Sequence, residues 1–245
     1  STGSVALADD SYTDAVLNMG TGGSDTLSID TENPTATVAL AATSLSDSSN
    51  TTTVSITFTE VPTGFDPNTD LTVTGGTLNT GSFDASNKIW TATFTADDGI
   101  TSTGSVALAD DSYTDAVLNM GAGGSDTLSI DTLNPTVTGV SASDLEITDV
   151  DLNSGNFTLT VTFSESMDVS QAPVLSFPTS DENPDNTITF VSGVWTTTDA
   201  TNDTYVATYS LSDADEVITD IDVQVAGALD VAGNTQVTSI ESNLF

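Results

Sequence analysis

The 245-residue sequence has no cysteine, no histidine and one basic residue, Lys88, against 36 Asp and Glu, for a formal net charge of −35. Without cysteine there are no disulfides, on which small extracellular domains often lean, so a folded chain must rest on core burial, on metal, or on both. Lacking both His and Cys, it has no part for the usual nucleophile triads, and no Gly-rich phosphate loop carries a lysine. A single cation cannot neutralise phosphates, which excludes a nucleic acid partner, and an anionic membrane surface would repel the chain. No run approaches the ~20 apolar residues of a membrane span, so no direct membrane insertion is expected. No signal peptide is visible, and the opening residues read as mid-repeat, so targeting is not legible. Paired carboxylates can cleave glycosidic bonds. A catalytic acid, however, needs a partly apolar cleft, and the acids here sit in polar loops; the chain is read as no enzyme.

What the sequence does have is a repeat. The block at 2–31 returns at 103–132, changed only at Thr21, which becomes Ala122. The offset, 103 − 2 = 101 residues, is too long for a solenoid unit and right for a small domain. Apolar residues make up 37% of the chain and alternate clearly, which argues against disorder despite the charge. Self-repulsion of that size destabilises a compact state unless counter-ions absorb it, and divalent cations held by carboxylates would do so economically.

Three pieces follow from the repeat. Residues 1–31 read as the closing strands of an immunoglobulin-like repeat whose beginning is absent; two strands cannot form a core alone. Residues 32–131 read as a complete repeat, and 132–245 as a longer variant with its extra length in loops 144–156 and 178–186. The linkers Thr31-Glu32-Asn33-Pro34 and Thr132-Leu133-Asn134-Pro135 are very short, and proline biases each to be extended and stiff. Val54, Ile56 and Phe58 alternate with Ser55, Thr57 and Thr59; Trp90, Ala92 and Phe94 alternate with threonines; Phe157, Leu159, Val161 and Phe163 do the same. Leu71 and Val73 precede a Gly75-Gly76 turn. Later come Ile188 and Phe190, then Tyr205, Ala207, Tyr209 and Leu211, then Ile221, Val223 and Val225. Period-two patterns broken by Gly, Asp and Asn turns predict an all-β chain of tandem immunoglobulin-like antiparallel β-sandwiches joined by short linkers. Trp90, in phase with Phe94, is expected in the core. The one helical signal is a single turn at Tyr113–Met120, mirrored at Tyr12–Met19.

Those residues carry a resemblance. ValSerIleThrPheThrGlu (54–60), LeuThrValThrGlyGly (71–76), TrpThrAlaThrPheThrAlaAspAspGly (90–99), AspAlaValLeuAsn (115–119), PheThrLeuThrValThrPheSerGlu (157–165) and AspValAlaGlyAsn (230–234) together resemble tandem bacterial immunoglobulin-like domains. Such domains form the extender regions of giant repeats-in-toxin surface adhesins and biofilm-associated proteins. The resemblance implies a bacterial cell-surface, extracellular stalk that binds calcium between domains and becomes rigid. Leu118 stands where the family commonly has glycine.

Strand direction gives a test of that implication. In a sandwich whose first strand leaves the linker, the second returns to it. Glu60 and Glu165, each at the end of that second strand, are therefore expected beside the preceding linker, with the loop carrying Asp110, Asp111, Asp115 and Asn119, or Asp230 and Asn234. Adding the last acid of the preceding domain gives Asp30, Glu60, Asp115 and Asn119 at one junction and Asp131, Glu165, Asp230 and Asn234 at the next. Either set, with backbone carbonyls, supplies oxygens of the kind Ca2+ requires. The plainer reading is that Asp115 caps a short turn that Asn119 ends before Gly121. Asp97 and Asp98 align with Asp215 and Glu216 on the opposite loops, where they face the next domain, completing its junction or holding a second ion. Asp149, Asp151 and Asn153 alternate like the start of a calcium loop, but Gly155 is one place late and no twelfth-position Glu follows.

The leading function is a non-catalytic spacer rigidified by Ca2+, whose partners are neighbouring repeats of the same chain, with any host or surface ligand held elsewhere in the protein. One alternative is a carbohydrate- or protein-binding module in the third domain, using Trp195, Tyr205 and Tyr209. Another is a strand-complemented subunit of an extracellular filament. The repeated block itself is expected to serve two junctions, its loop facing back and its last Asp facing forward.

Overall fold

The structure, a computed structural model, describes residues 1–153 and 157–245; Gly155 of the proposed loop pattern lies outside the described residues. Strand pairing divides these residues into three sets.

The first set is a two-stranded antiparallel hairpin, β1 (Thr2–Leu7) with β2 (Gly23–Ser28). The second set contains β3 (Ala36–Leu40), β4 (Ser44–Ser46), β5 (Thr51–Phe58), a one-turn helix α1 (Pro67–Asp70), β6 (Leu71–Thr74), β7 (Gly76–Leu78), β8 (Ser82–Asp84), β9 (Ile89–Ala96), β10 (Thr101–Leu108) and β11 (Gly124–Asp131). One sheet has the order β3-β5-β9-β7, with β8 also on β9, and the other has the order β4-β11-β10-β6. All pairs are antiparallel except β4 with β11. That exception arises because the opening segment changes sheets: it leaves β5 after Leu40 and joins the last strand beside Leu45.

The alternation seen in sequence is the inside–outside alternation of the sandwich. Val54, Ile56 and Phe58 from β5, and Trp90, Ala92 and Phe94 from β9, are buried. They face Val106 and Leu108 from β10, Leu128 and Ile130 from β11, and Leu45 from β4. Each such fully buried side chain is worth roughly 1.5–3 kcal/mol against exposure. Phe58 packs edge-on against Phe65, Phe83 and Tyr113.

The third set repeats the plan with β12 (Val137–Ala142), β13 (Phe157–Phe163), β14 (Val174–Ser176), β15 (Ile188–Thr196), β16 (Thr204–Leu211), β17 (Val223–Ala226) and β18 (Ser239–Glu241). Its sheets are β12-β13-β16-β15 and β14-β17-β18. The long loops carry 3-10 turns at Asp151–Asn153 and Ser180–Glu182. Tyr205 and Tyr209 are buried, and Trp195 packs on Phe163 and Tyr205, so these rings form no exposed stacking platform. Phe190 keeps the phase of buried Ile188, opposite Tyr209 and edge-on to its ring, but is 54% exposed at the mouth of a cleft, and a bulge follows it before Ser192.

The helical turn expected at Tyr113–Met120 is absent. That segment is a small closed loop, bridged from Thr114 to Met120. The one α-helix among the described residues lies instead at Pro67–Asp70, where the Asp66 carboxylate caps the Asn68 N–H and proline opens the turn. No helix among the described residues is long and apolar enough to cross a membrane.

Candidate metal centres at the junctions

The sequence Asp-x-x-x-Asn folds the same way three times. Asp115 Oδ1 accepts the N–H groups of Val117 and Asn119 at 2.9 Å each, and Asn119 Nδ2 returns to Asp115 Oδ2 at 2.8 Å. Asp230 receives Ala232 at 2.8 Å, Asn234 at 2.9 Å and the Asn234 amide at 2.8 Å. Asp14 and Asn18 repeat the pattern in the hairpin. The residue before each Asn has a left-handed backbone: Leu17 φ 70°, Leu118 φ 72°, Gly233 φ 90°. The capping reading of Asp115 and Asn119 is thus correct as local structure. Burial opposes the Asp115 charge, but the bonds from Asn119, Val117 and Leu118 outweigh it and hold the carboxyl below its usual range.

Capping leaves the Asp carboxylates room for further partners, because an ionised carboxylate offers about four lone-pair sites. The elements around them supply those partners. Thr59 N–H donates to the Thr35 carbonyl at 3.0 Å and Thr59 Oγ1 accepts the Thr35 N–H at 2.9 Å, which pins the end of β5 to the linker and Glu60 beside it. Ser164 and Thr136 make the same pair of bonds, at 2.9 and 3.0 Å, and place Glu165. As a result, Asp30, Glu60 and Asp115 converge with one oxygen each, all within 4.8 Å of one another. Asp131, Glu165 and Asp230 do likewise. The repeated block contributes Asp115 to one cluster and Asp131 to the other.

The second cluster is the more enclosed. Asp230 is buried, and Glu165 Oε1 is buried with no hydrogen-bond partner. Desolvation first, then the charges of Asp230 and Asp131, push the Glu165 carboxyl up to about 7. Three acids with an orphaned buried oxygen fit a cation. The donors are all oxygens, which favours a hard dication over zinc or copper. Ca2+ takes six to eight oxygens in a flexible geometry, whereas Mg2+ demands a near-ideal octahedron and prefers to keep its waters.

The asparagines serve differently from the acids. Asn119 Nδ2 reaches the Asp30 carbonyl at 3.4 Å. Asn234 Nδ2 donates to the Asp131 carbonyl at 2.9 Å, and Asn234 Oδ1 accepts the N–H of Asp47, in the β4–β5 loop of the second domain, at 2.9 Å. Its amide therefore straps the second domain, the linker and the third domain together. Sequence reasoning missed this bond, since Asp47 sits in an unremarkable polar loop.

Asp97, Asp98 and Asp215 belong to neither convergent group. Asp97 acts through its backbone, its carbonyl accepting Thr132 Oγ1 at 2.8 Å and so fixing the start of the second linker. Asp98 is exposed in a turn, and exposed Asp215 binds Asp213 through its N–H at 3.0 Å. Glu216 accepts from Thr187 and lines a groove of its own. Thr148 N–H and hydroxyl donate to Asp151, holding that loop closed.

Residues 30–132 match the family described as bacterial Ig-like domain. No curated protein matches the chain significantly. Among solved structures, the chain is similar to Yersinia pseudotuberculosis adhesin InvE, at 16% identity over 84% of this chain with a TM-score of 0.30. It is also similar to Yersinia pseudotuberculosis InvD, at 17% identity over 87% of this chain with a TM-score of 0.32. The chain spans 58% of the length of each of these structures.

Proposed function

We propose, from the match of residues 30–132 to the family described as bacterial Ig-like domain, that the chain is a non-catalytic spacer of a bacterial cell-surface adhesin, rigidified by Ca2+ at its junctions. The observation that carries this reading is the equivalence of the two clusters: the same three acids, from the preceding domain's end, the second strand and the Asp-x-x-x-Asn loop, meet at both linkers. Their mutual repulsion opposes a fixed junction. A dication cancels it and ties together three elements that belong to two domains, which sets the interdomain angle. Each domain then adds roughly 35–45 Å to a rod, from strands of about ten residues plus loops. Near identity of the repeated blocks suits a spacer, since length rather than a unique site is what a spacer provides. An extracellular location supplies the millimolar calcium that such sites use.

Calorimetric titration of the metal-free chain tests the reading. Two calcium sites per chain are expected. Glu60→Gln should weaken one and Glu165→Gln the other, each about tenfold or more, because neither Glu caps its loop and its loss removes one ligand charge. No binding at millimolar calcium, or binding unchanged in both variants, would sink the proposal.

A further inference from the structure

The two sandwiches share a plan but close one side differently. In the second domain the place beside β9 is split between β7 and β8, three residues each, and the chain crosses from β6 to β7 through Gly75 alone. One continuous segment thus joins the two sheets there. In the third domain β15 fills the same place beside β16 as a single strand of nine residues. Its connection from β14, which ends at Ser176, to its own start at Ile188 is 188 − 176 − 1 = 11 residues long. β14 and β15 are left as two edge strands, each paired on one side only.

β15 lacks most of the protection that edge strands carry. Alternate N–H and C=O groups of an edge point outward without partners, so edges are kept short or guarded by charge, proline or bulges. No other edge strand among the described residues exceeds six residues. Residues 187–198 hold no charged side chain and no proline, in a chain of net charge −35. The one guard of β15 is the bulge before Ser192. Phe190, Val191 and Val194 are exposed on it, and Val174 is exposed on β14.

A cleft of about 270 Å3 lies between the two edges, with Val174, Phe177 and Phe190 on its walls and Tyr205 and Tyr209 beneath. That volume is below the roughly 300–1,000 Å3 of small-molecule pockets, which suits an inserted side chain better than a free ligand. Tyr205 and Tyr209 are 4% and 5% exposed, yet neither hydroxyl has a hydrogen-bond partner among the described residues. A side chain at Gly193 would collide with the Tyr205 hydroxyl, which places that oxygen against β15. Asp185 is the one charged residue lining the cleft. Desolvation first, then Tyr205 and Asp185, push the Tyr209 hydroxyl up to about 12, so it stays neutral beside that carboxylate.

We infer that β15 and this cleft form one docking surface for an extended segment of a partner protein, which adds as a strand to β15 and inserts a lysine side chain between β15 and β14. Main-chain bonds along the edge supply affinity, and the cleft supplies the choice of side chain. A lysine ammonium has three donors and no acceptor, and the Asp185 carboxylate with two phenol oxygens supplies acceptors only it can pair without adding negative charge. Its stem suits the apolar walls. A second copy of this chain is a poor occupant. It brings another −35 of charge, and its single lysine, Lys88, already donates to the Thr59 carbonyl at 2.6 Å. The inference rests on neither calcium nor the spacer reading.

The test titrates the isotopically labelled full chain, at physiological salt with calcium, with a capped nine-residue peptide. In this probe valine and threonine alternate, and lysine takes the central valine position. A one-to-one complex is expected, with amide shifts and slowed hydrogen exchange at residues 189–195 and shifts of the Tyr209 ring. Methylating alternate backbone nitrogens of the peptide keeps its charge but removes the edge pairing, and should abolish those effects. Asp185→Asn, at an exposed position that leaves the domain folded, should weaken binding about tenfold, the scale of one charge-assisted hydrogen bond. Equal binding of the methylated peptide, or unchanged affinity in Asp185→Asn, would overturn the inference. So would shifts confined to the junction acids, or self-association of the peptide-free chain through residues 189–195.

Discussion

Glu165 is where the junction's electrostatics are most exposed to experiment. In the unfolded chain its carboxyl titrates at the ordinary 4.5, and in the folded, metal-free chain at about 7. The folded state therefore holds that proton more tightly, so the stabilisation is complete below about 4.5 and is lost as pH rises through 7. Metal-free third-domain stability should fall across that window. Glu165→Gln should flatten the dependence, and calcium affinity should rise with pH through the same range. Denaturation midpoints at a series of pH values check this; a midpoint that climbs from pH 5 to 7 would contradict it. Leu118 offers a second test. Its left-handed backbone costs roughly 1–2 kcal/mol, and it is exposed, so little burial is at stake. Glycine's extra unfolded-state entropy offsets roughly 0.5–1 kcal/mol of that. Leu118→Gly is expected to stabilise the second domain by ~0.5–1 kcal/mol in equilibrium unfolding, as Gly233 already does for the third, and a loss of stability would refute the strain argument.

At the scale of elements, the hairpin β10–β11 is tuned to its half-sandwich by one small residue. A methyl at Gly121 would sit 2.3 Å from the Tyr113 ring, and that buried ring has no room to withdraw. Gly121→Ala should cost the second domain roughly 1–3 kcal/mol by overpacking, or several degrees in Tm. Gly20→Ala, in the uncovered hairpin, should leave that midpoint unchanged. The third domain solves the same place otherwise: Ala228 replaces the tyrosine, and Gln236 fills the space, donating to the Val225 carbonyl at 2.9 Å. These elements also show what the sequence made legible. Alternation in Thr51–Phe58, Ile89–Ala96 and Phe157–Phe163 identified strands and their buried faces, because a sandwich buries every second residue. Strand direction then brought Glu60 and Glu165 to the linkers. What escaped was local or long-range hydrogen bonding: the Asp115 loop looked helical because an Asp cap and a turn begin both structures, and α1 was missed although Asp66-Pro67 carries its signal. The bulge at Phe190 and the Asp47–Asn234 strap have no periodic signature at all.

The whole molecule carries 36 acidic side chains against one lysine, and its domains meet at junctions made of very short linkers. The second junction already has a metal-independent strap in Asn234, while three carboxylates on the same linker oppose closure. Metal should decide between a hinged and a fixed chain, since the strand pairing of both sandwiches is made without the cluster carboxylates. Small-angle X-ray scattering of the full chain, first with calcium and then with chelator, tests this most directly. The expected result is an extended, stiff particle in calcium that becomes shorter or more flexible in chelator and recovers when calcium is restored. Superimposable profiles in the two conditions would contradict the claim that a dication rigidifies these junctions.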